Sequence, residues 1–152
     1  MLRCFSIKES YMASSSSLAK DYYVRAVKRL RVLDVLTEEQ SYCDVVREAQ
    51  GVVELLLKGV LRLYGIDPPK WHDVGPIIEQ HGSSFSAEIV AAIPEIVVLS
   101  RKLRKEREIS FYGDVDLIPS DSYTKEDADY AANKARWLVA LLRKEFERDS
   151  SE

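Results

Sequence analysis

The sequence predicts an all-α fold, an up-and-down bundle of four long helices plus one short helix. Three observations carry this. Apolar residues recur at helical spacing through most of the 152 residues. No stretch of useful length alternates apolar and polar side chains in the way a half-buried strand does. The periodic segments are separated by residues that start or stop helices, among them Thr37, Gly65, Pro68-Pro69, Gly82, Gly113 and Thr124. There is no internal repeat and no long linker.

Residues 1–17 show no clear period and end in Ser14-Ser15-Ser16-Ser17. They are expected to form an N-terminal tail that docks through Phe5 and Ile7. The bundle domain is expected over residues 18–147, with residues 148–152 as a C-terminal tail. Its first helix runs from about Leu18 to Leu36, with Leu18, Tyr22, Ala26, Leu30 and Leu33 as the inner stripe. Thr37-Glu38-Glu39-Gln40 fits a capping box, with Thr37 as N-cap of a second helix that ends near Gly65. Pro68-Pro69 forbids its continuation. A short third helix is expected over Asp73–Gln80, with Pro76 in its first turn, where a missing N–H costs little. Either His72 or Asp73 would cap it. The next long helix spans about Ser86 to Glu108 and contains Pro94, which predicts a kink or a break. Residues 109–123 read as a loop. The last helix starts at Thr124 and reaches about Phe146, its inner stripe being Ala128, Ala131, Ala135, Leu138 and Leu142.

The second helix is the most informative segment. Val46, Ala49, Val53, Leu56, Leu57, Val60 and Tyr64 cover a broad face, which belongs in the middle of a bundle. A narrow polar line survives: Arg47, Gly51, Glu54 and Lys58, spaced i, i+4, i+7 and i+11. Glu54 and Lys58 form an i, i+4 pair, which as a solvated stripe would need no further explanation. Glycine inside a helix costs about 1 kcal/mol against alanine, so Gly51 implies a close approach by a helix, a subunit or a ligand. The breadth of the apolar arc, with Gly51 beside it, predicts a homodimer.

The order and spacing of these residues resemble the HEPN domain family of helical bundles, found in prokaryotes and some eukaryotes. The resemblance rests on Ala49-Gln50, Glu54, Lys58, Pro69 and His72-Asp73-Val74. The segment Leu103 to Gly113 is similar to the family's Arg-rich helix end followed by Tyr, and Tyr123 to Leu142 to its Ala-rich last helix. The resemblance covers roughly residues 18–147. It implies a nucleotide, RNA or partner-protein ligand and a dimeric state. It also implies a small nucleotidyltransferase as a possible partner, as in toxin–antitoxin pairs.

Ribonuclease members of that family carry Arg, four to six residues, then His near this helix end. Here Arg107 is followed five residues later by Tyr112, and neither His72 nor His81 has an arginine five to seven positions before it. A phenol with a pKa of about 10 is a poor base near neutral pH. The expectation is therefore a binding module that does not cut RNA, with Arg47, Glu54, Lys58, Arg104 and Arg107 as ligand-binding residues. A divergent ribonuclease using Arg107, Tyr112 and His72 is the alternative, decided by how close Arg107 comes to His72. A structural oligomer, with Glu54 and Lys58 meeting their own copies across a two-fold axis and no open cavity, is the third reading. Arg107 continues the inner line of Ile89, Ile96, Ser100 and Leu103, so it needs a buried carboxylate such as Glu54 or a phosphate. Arg101, Lys102 and Lys105 read as solvated charges. Lys20, Arg25, Lys28, Arg29 and Arg31 make the first helix basic, which suits either a solvated face or phosphates.

Composition bounds the rest. Net charge is −3, so any nucleic-acid footprint must be a local patch. Cys4 and Cys43 lack metal spacing and a secretory signal, which suggests reduced thiols in a cytoplasm. No apolar run approaches the ~20 residues of a membrane span. No cofactor or metal motif is present, and Cys43 reads as a small core residue.

Overall fold

The computed structural model describes residues 7–148, with side chains from residue 15 onward. Four long helices make the bundle: α1 (Ile7–Glu38), α2 (Tyr42–Leu63), α4 (Ala87–Tyr112) and α6 (Lys125–Arg148). Two short ones, α3 (Gly75–Gln80) and α5 (Pro119–Ser122), lie in the connections. No strand occurs among the described residues; one isolated bridge joins Asp114 and Leu117.

Helix α2 is the central element and packs against α1, α4 and α6. Its predicted inner arc is buried from Val46 to Val60, with Tyr64 half-buried at the end. One chain suffices to cover that arc, so its breadth does not require a second copy. The predicted stripe of α6 is buried throughout. On α1 the inner residues are Ala19, Ala26 and Leu33, while Leu18 faces outward. The buried stripe thus includes Ala19 in place of Leu18, and the helix itself begins earlier than expected, at Ile7. The expected docking of Phe5 and Ile7 lies outside the described residues and side chains. Cys43 is buried in the interior, as expected.

The junction of α1 and α2 differs from the predicted capping box. Thr37 stays inside α1, its hydroxyl donating to the Leu33 carbonyl at 2.7 Å. Gln40 has φ of 57°, which no helical position can hold. Around it, Ser41 N–H donates to the Leu36 carbonyl and Gln40 N–H to the Thr37 carbonyl, closing α1 with the crossed bonds of a left-handed C-cap. The same crossed pair ends α2, where Ile66 N–H reaches Leu61 and Gly65 N–H reaches Arg62.

Helix α4 runs unbroken through Pro94. That proline is exposed, so the carbonyl left without a donor one turn earlier can be met by water. The helix also continues four residues past the expected end at Glu108, through Ile109 to Tyr112. Gly113 stops it with φ of 66°, and a Cβ there would lie 2.4 Å from the Leu117 carbonyl oxygen.

Candidate functional site

The polar line of α2 is not a solvated stripe. Glu54 and Lys58 are paired at 2.9 Å with side chains only 14% and 16% exposed. In the single chain this line opens onto a cavity. Gly51 is open too: a Cβ there would meet only the end of Arg47, at 3.8 Å.

The cavity is a groove of about 430 Å³ between α1, α2 and the end of α4. Tyr22, Arg25 and Arg29 line it from α1. Arg47, Glu48, Gly51, Glu54, Leu55 and Lys58 line it from α2, and Arg107 and Phe111 from α4. Among these lining residues are five cations against two carboxylates. Arg29 is held by Glu48 at 2.5 Å. Arg47 rests over the Phe111 ring, 5.6 Å from its centre. Beside the groove lies a smaller hollow of about 360 Å³, lined by Arg47, His72, Arg107, Glu108, Phe111 and Tyr112. The two share Arg47, Arg107 and Phe111.

Between them sits one hydrogen-bonded cluster. Glu54 accepts from Lys58, from Gln50 Nε2 at 2.9 Å, and lies 3.0 Å from His72 Nδ1. Arg107 Nη1 donates to Gln50 Oε1 at 2.6 Å and stands 3.4 Å from Glu54. Arg47 reaches the same Gln50 oxygen at 3.4 Å. The carboxylate predicted to answer Arg107 is thus present, but an amide holds most of the contact. Burial would raise the Glu54 pKa. The hydrogen bonds from His72, Lys58 and Gln50, with the Lys58 charge, outweigh it and hold the carboxyl below its ordinary value. Burial and the neighbouring Arg107 charge lower the Arg47 pKa, with Glu48 and Glu54 opposing.

His72 reaches this cluster because its loop is pinned to α4. Ser100 Oγ donates to Asp73 at 2.8 Å and accepts the backbone N–H groups of Val74 and Gly75, each at 3.1 Å. Helix α3 therefore begins at Gly75, not Asp73, and its N-terminal N–H groups are met by a serine from another helix. No side chain of its own caps it, so the expected capping by His72 or Asp73 does not occur.

Of the residues singled out from the sequence, Arg47, Glu54, Lys58 and Arg107 converge on the groove. His72 and Tyr112 join Arg47 and Arg107 at the smaller hollow. Arg104 is exposed and lines neither. Arg101, Lys102 and Lys105 are exposed, as expected. Gln50 and the rings of Tyr22 and Phe111 carry roles that the sequence reading did not give them. The available signal was spacing: Gln50 precedes Glu54 by four residues and Phe111 follows Arg107 by four, each pair sharing a helix face. Among the described residues no cluster of His, Cys, Asp and Glu could hold a metal ion. No helix among them is long and apolar enough to cross a membrane.

The sequence model of the HEPN domain family matches residues 19–145, most of the chain. No curated protein matches it, and no solved structure does.

Proposed function

Since the chain belongs to the HEPN domain family, we propose that its groove binds a phosphate-bearing ligand, a nucleotide or a short stretch of RNA, without cleaving it. One observation carries this reading. Five cations and two aromatic rings line a single groove in a chain whose net charge is −3. Guanidinium forks match phosphate oxygens, and rings such as Tyr22 and Phe111 suit the faces of bases. Arg47 fits the same chemistry: burial first, and then the neighbouring Arg107 charge, lower its pKa, and an anion between the two guanidiniums would relieve the second cause.

Cleavage is the second reading, favoured by the shared contact of Arg107 and His72 with Glu54. A carboxylate on Nδ1 orients an imidazole as a catalytic base is oriented, and leaves Nε2 as its second nitrogen. Binding remains the preferred reading because the larger groove does not include His72, and Tyr112 stands five residues after Arg107 where ribonuclease members carry His.

A homodimer belongs to this proposal on grounds other than α2. Ile109, Phe111, Tyr112, Val115 and Ile118 are all exposed around the end of α4. Such a patch, beside the groove, suits a two-fold contact. Light scattering at micromolar concentration decides it, a 17.3 kDa monomer being the contrary result.

The ligand reading is tested by titrating ATP and a short single-stranded RNA into wild type and Arg107→Ala. Binding weakened on the order of tenfold in the variant supports it, in line with a lost charged hydrogen bond. Unchanged binding would reduce Arg107 to a structural partner of Gln50 and Glu54.

A further inference from the structure

We infer that Gln50 is a positioning residue that keeps Arg107 available to an anion by standing between that guanidinium and Glu54. This rests on the anion-binding reading of the groove and explains how a cation beside a buried carboxylate can still serve it. An arginine next to a carboxylate normally closes on it through two parallel N–H···O bonds. A guanidinium so closed has its charge answered and its fork occupied. Here the closure is incomplete. Arg107 Nη1 is 3.4 Å from Glu54 Oε2 but 2.6 Å from Gln50 Oε1.

The amide is fixed in this role by its neighbours. Its oxygen faces two guanidiniums, Arg107 at 2.6 Å and Arg47 at 3.4 Å, and its nitrogen donates to Glu54 at 2.9 Å. A flipped amide would set N–H groups against cations and an oxygen against a carboxylate, three repulsive contacts at once. Gln50 is 3% exposed, so no water replaces it at that place. Meanwhile Glu54 already takes Lys58 at 2.9 Å and His72 at 3.0 Å. Its charge is answered without Arg107. The neutral amide thus holds two arginines by one oxygen without cancelling either charge. Both cations line the groove and the hollow beside it.

Gln50→Leu, close in size and without polar atoms, removes the spacer. Arg107 is then expected to close on Glu54. Binding of ATP and of a short single-stranded RNA should fall on the order of tenfold, although every cation is still present. The reading that a merely structural role would not move is the coupling to Glu54. In a Glu54→Gln background the cost of Gln50→Leu should shrink to about threefold or less, because nothing remains to capture Arg107. Melting curves accompany all four proteins, and Gln50→Met provides a second apolar variant should Gln50→Leu fold poorly. A ligand-independent arm separates this inference from the reading it rests on. Labelling of Arg107 by an arginine-selective dicarbonyl, mapped by mass spectrometry, should slow in Gln50→Leu and recover in the double variant. If labelling behaves so while neither ATP nor RNA binds wild type, the spacer role stands and the proposed ligand class fails. Equal labelling in wild type and Gln50→Leu, or an equal cost of Gln50→Leu in both backgrounds, would overturn the inference.

Discussion

Gly51 and Gly59 lie eight residues apart on α2, on neighbouring faces, and serve opposite ends. A Cβ at Gly59 would stand 3.2 Å from Phe146 Cζ and 3.4 Å from both the Ala19 carbonyl oxygen and Tyr22 Cβ. That glycine lets α1 and α6 close over α2. A Cβ at Gly51 would touch only the far end of Arg47, and no helix comes near. The first glycine brings backbone and side chains together; the second leaves the floor of the groove low. The same residue type thus supports packing in one place and access in the other, one turn from the charged cluster.

Substitution by leucine separates the two most sharply. Gly59→Leu should destabilise by about 3 kcal/mol, since α1 backbone must move to admit it. Urea unfolding gives the number. Gly51→Leu should cost no stability, since leucine is a better helix former than glycine and the site is open, yet weaken anion binding on the order of tenfold by filling the groove between Arg47 and Glu54. Comparable stability losses in both would remove the distinction.

A subtler separation comes from pH. The Glu54 carboxyl is held below its ordinary value of 4.5 in the fold. Its proton is then bound more weakly by the folded chain than by the unfolded one. The stabilisation is present above the unfolded value and is lost as pH falls through the folded one. Denaturant midpoints should therefore drop in the window below pH 4.5, and Glu54→Gln should flatten that part of the profile. An unchanged profile in Glu54→Gln would place the acid sensitivity outside the groove, in the paired carboxylates of the surface. The smallest effect expected is from Gly51→Ala. With room for a methyl group and a helical backbone, it should stabilise by roughly 0.5–1 kcal/mol. A loss instead would mean that the glycine has a packing role after all.

The same contrast shows what a sequence carries and what it does not. Periodicity identifies the buried arc of α2 and the polar line beside it, because both depend only on position along one helix. It also places the inner stripe of α6 and the inward turn of Arg107. Ends fare less well. The capping pattern at Thr37 was chemically sound, but Thr37 bonds back to Leu33 and Gln40 takes a left-handed conformation, so α2 starts four residues later than the capping box implies. Residues 109–112 continue α4 although Ile109, Phe111 and Tyr112 are exposed, leaving no amphipathic signal to read. His72 was least legible. Its arrival beside Glu54 depends on Ser100 holding the Asp73–Gly75 backbone, a tertiary contact between segments more than twenty residues apart. Nor could spacing separate a glycine that admits a helix from one that leaves a groove open.

The central claim is that a groove lined by arginines, with the His72 imidazole in the hollow beside it, binds RNA without cutting it. Single-stranded RNA incubated with saturating wild-type protein and resolved by length tests this most directly, with Arg107→Ala and His72→Ala run beside it. The account predicts intact RNA in all three, bound by wild type and weakly by Arg107→Ala. Discrete cleavage products that form with wild type and vanish in both variants would contradict it, and would make the Glu54–His72 contact part of a catalytic site.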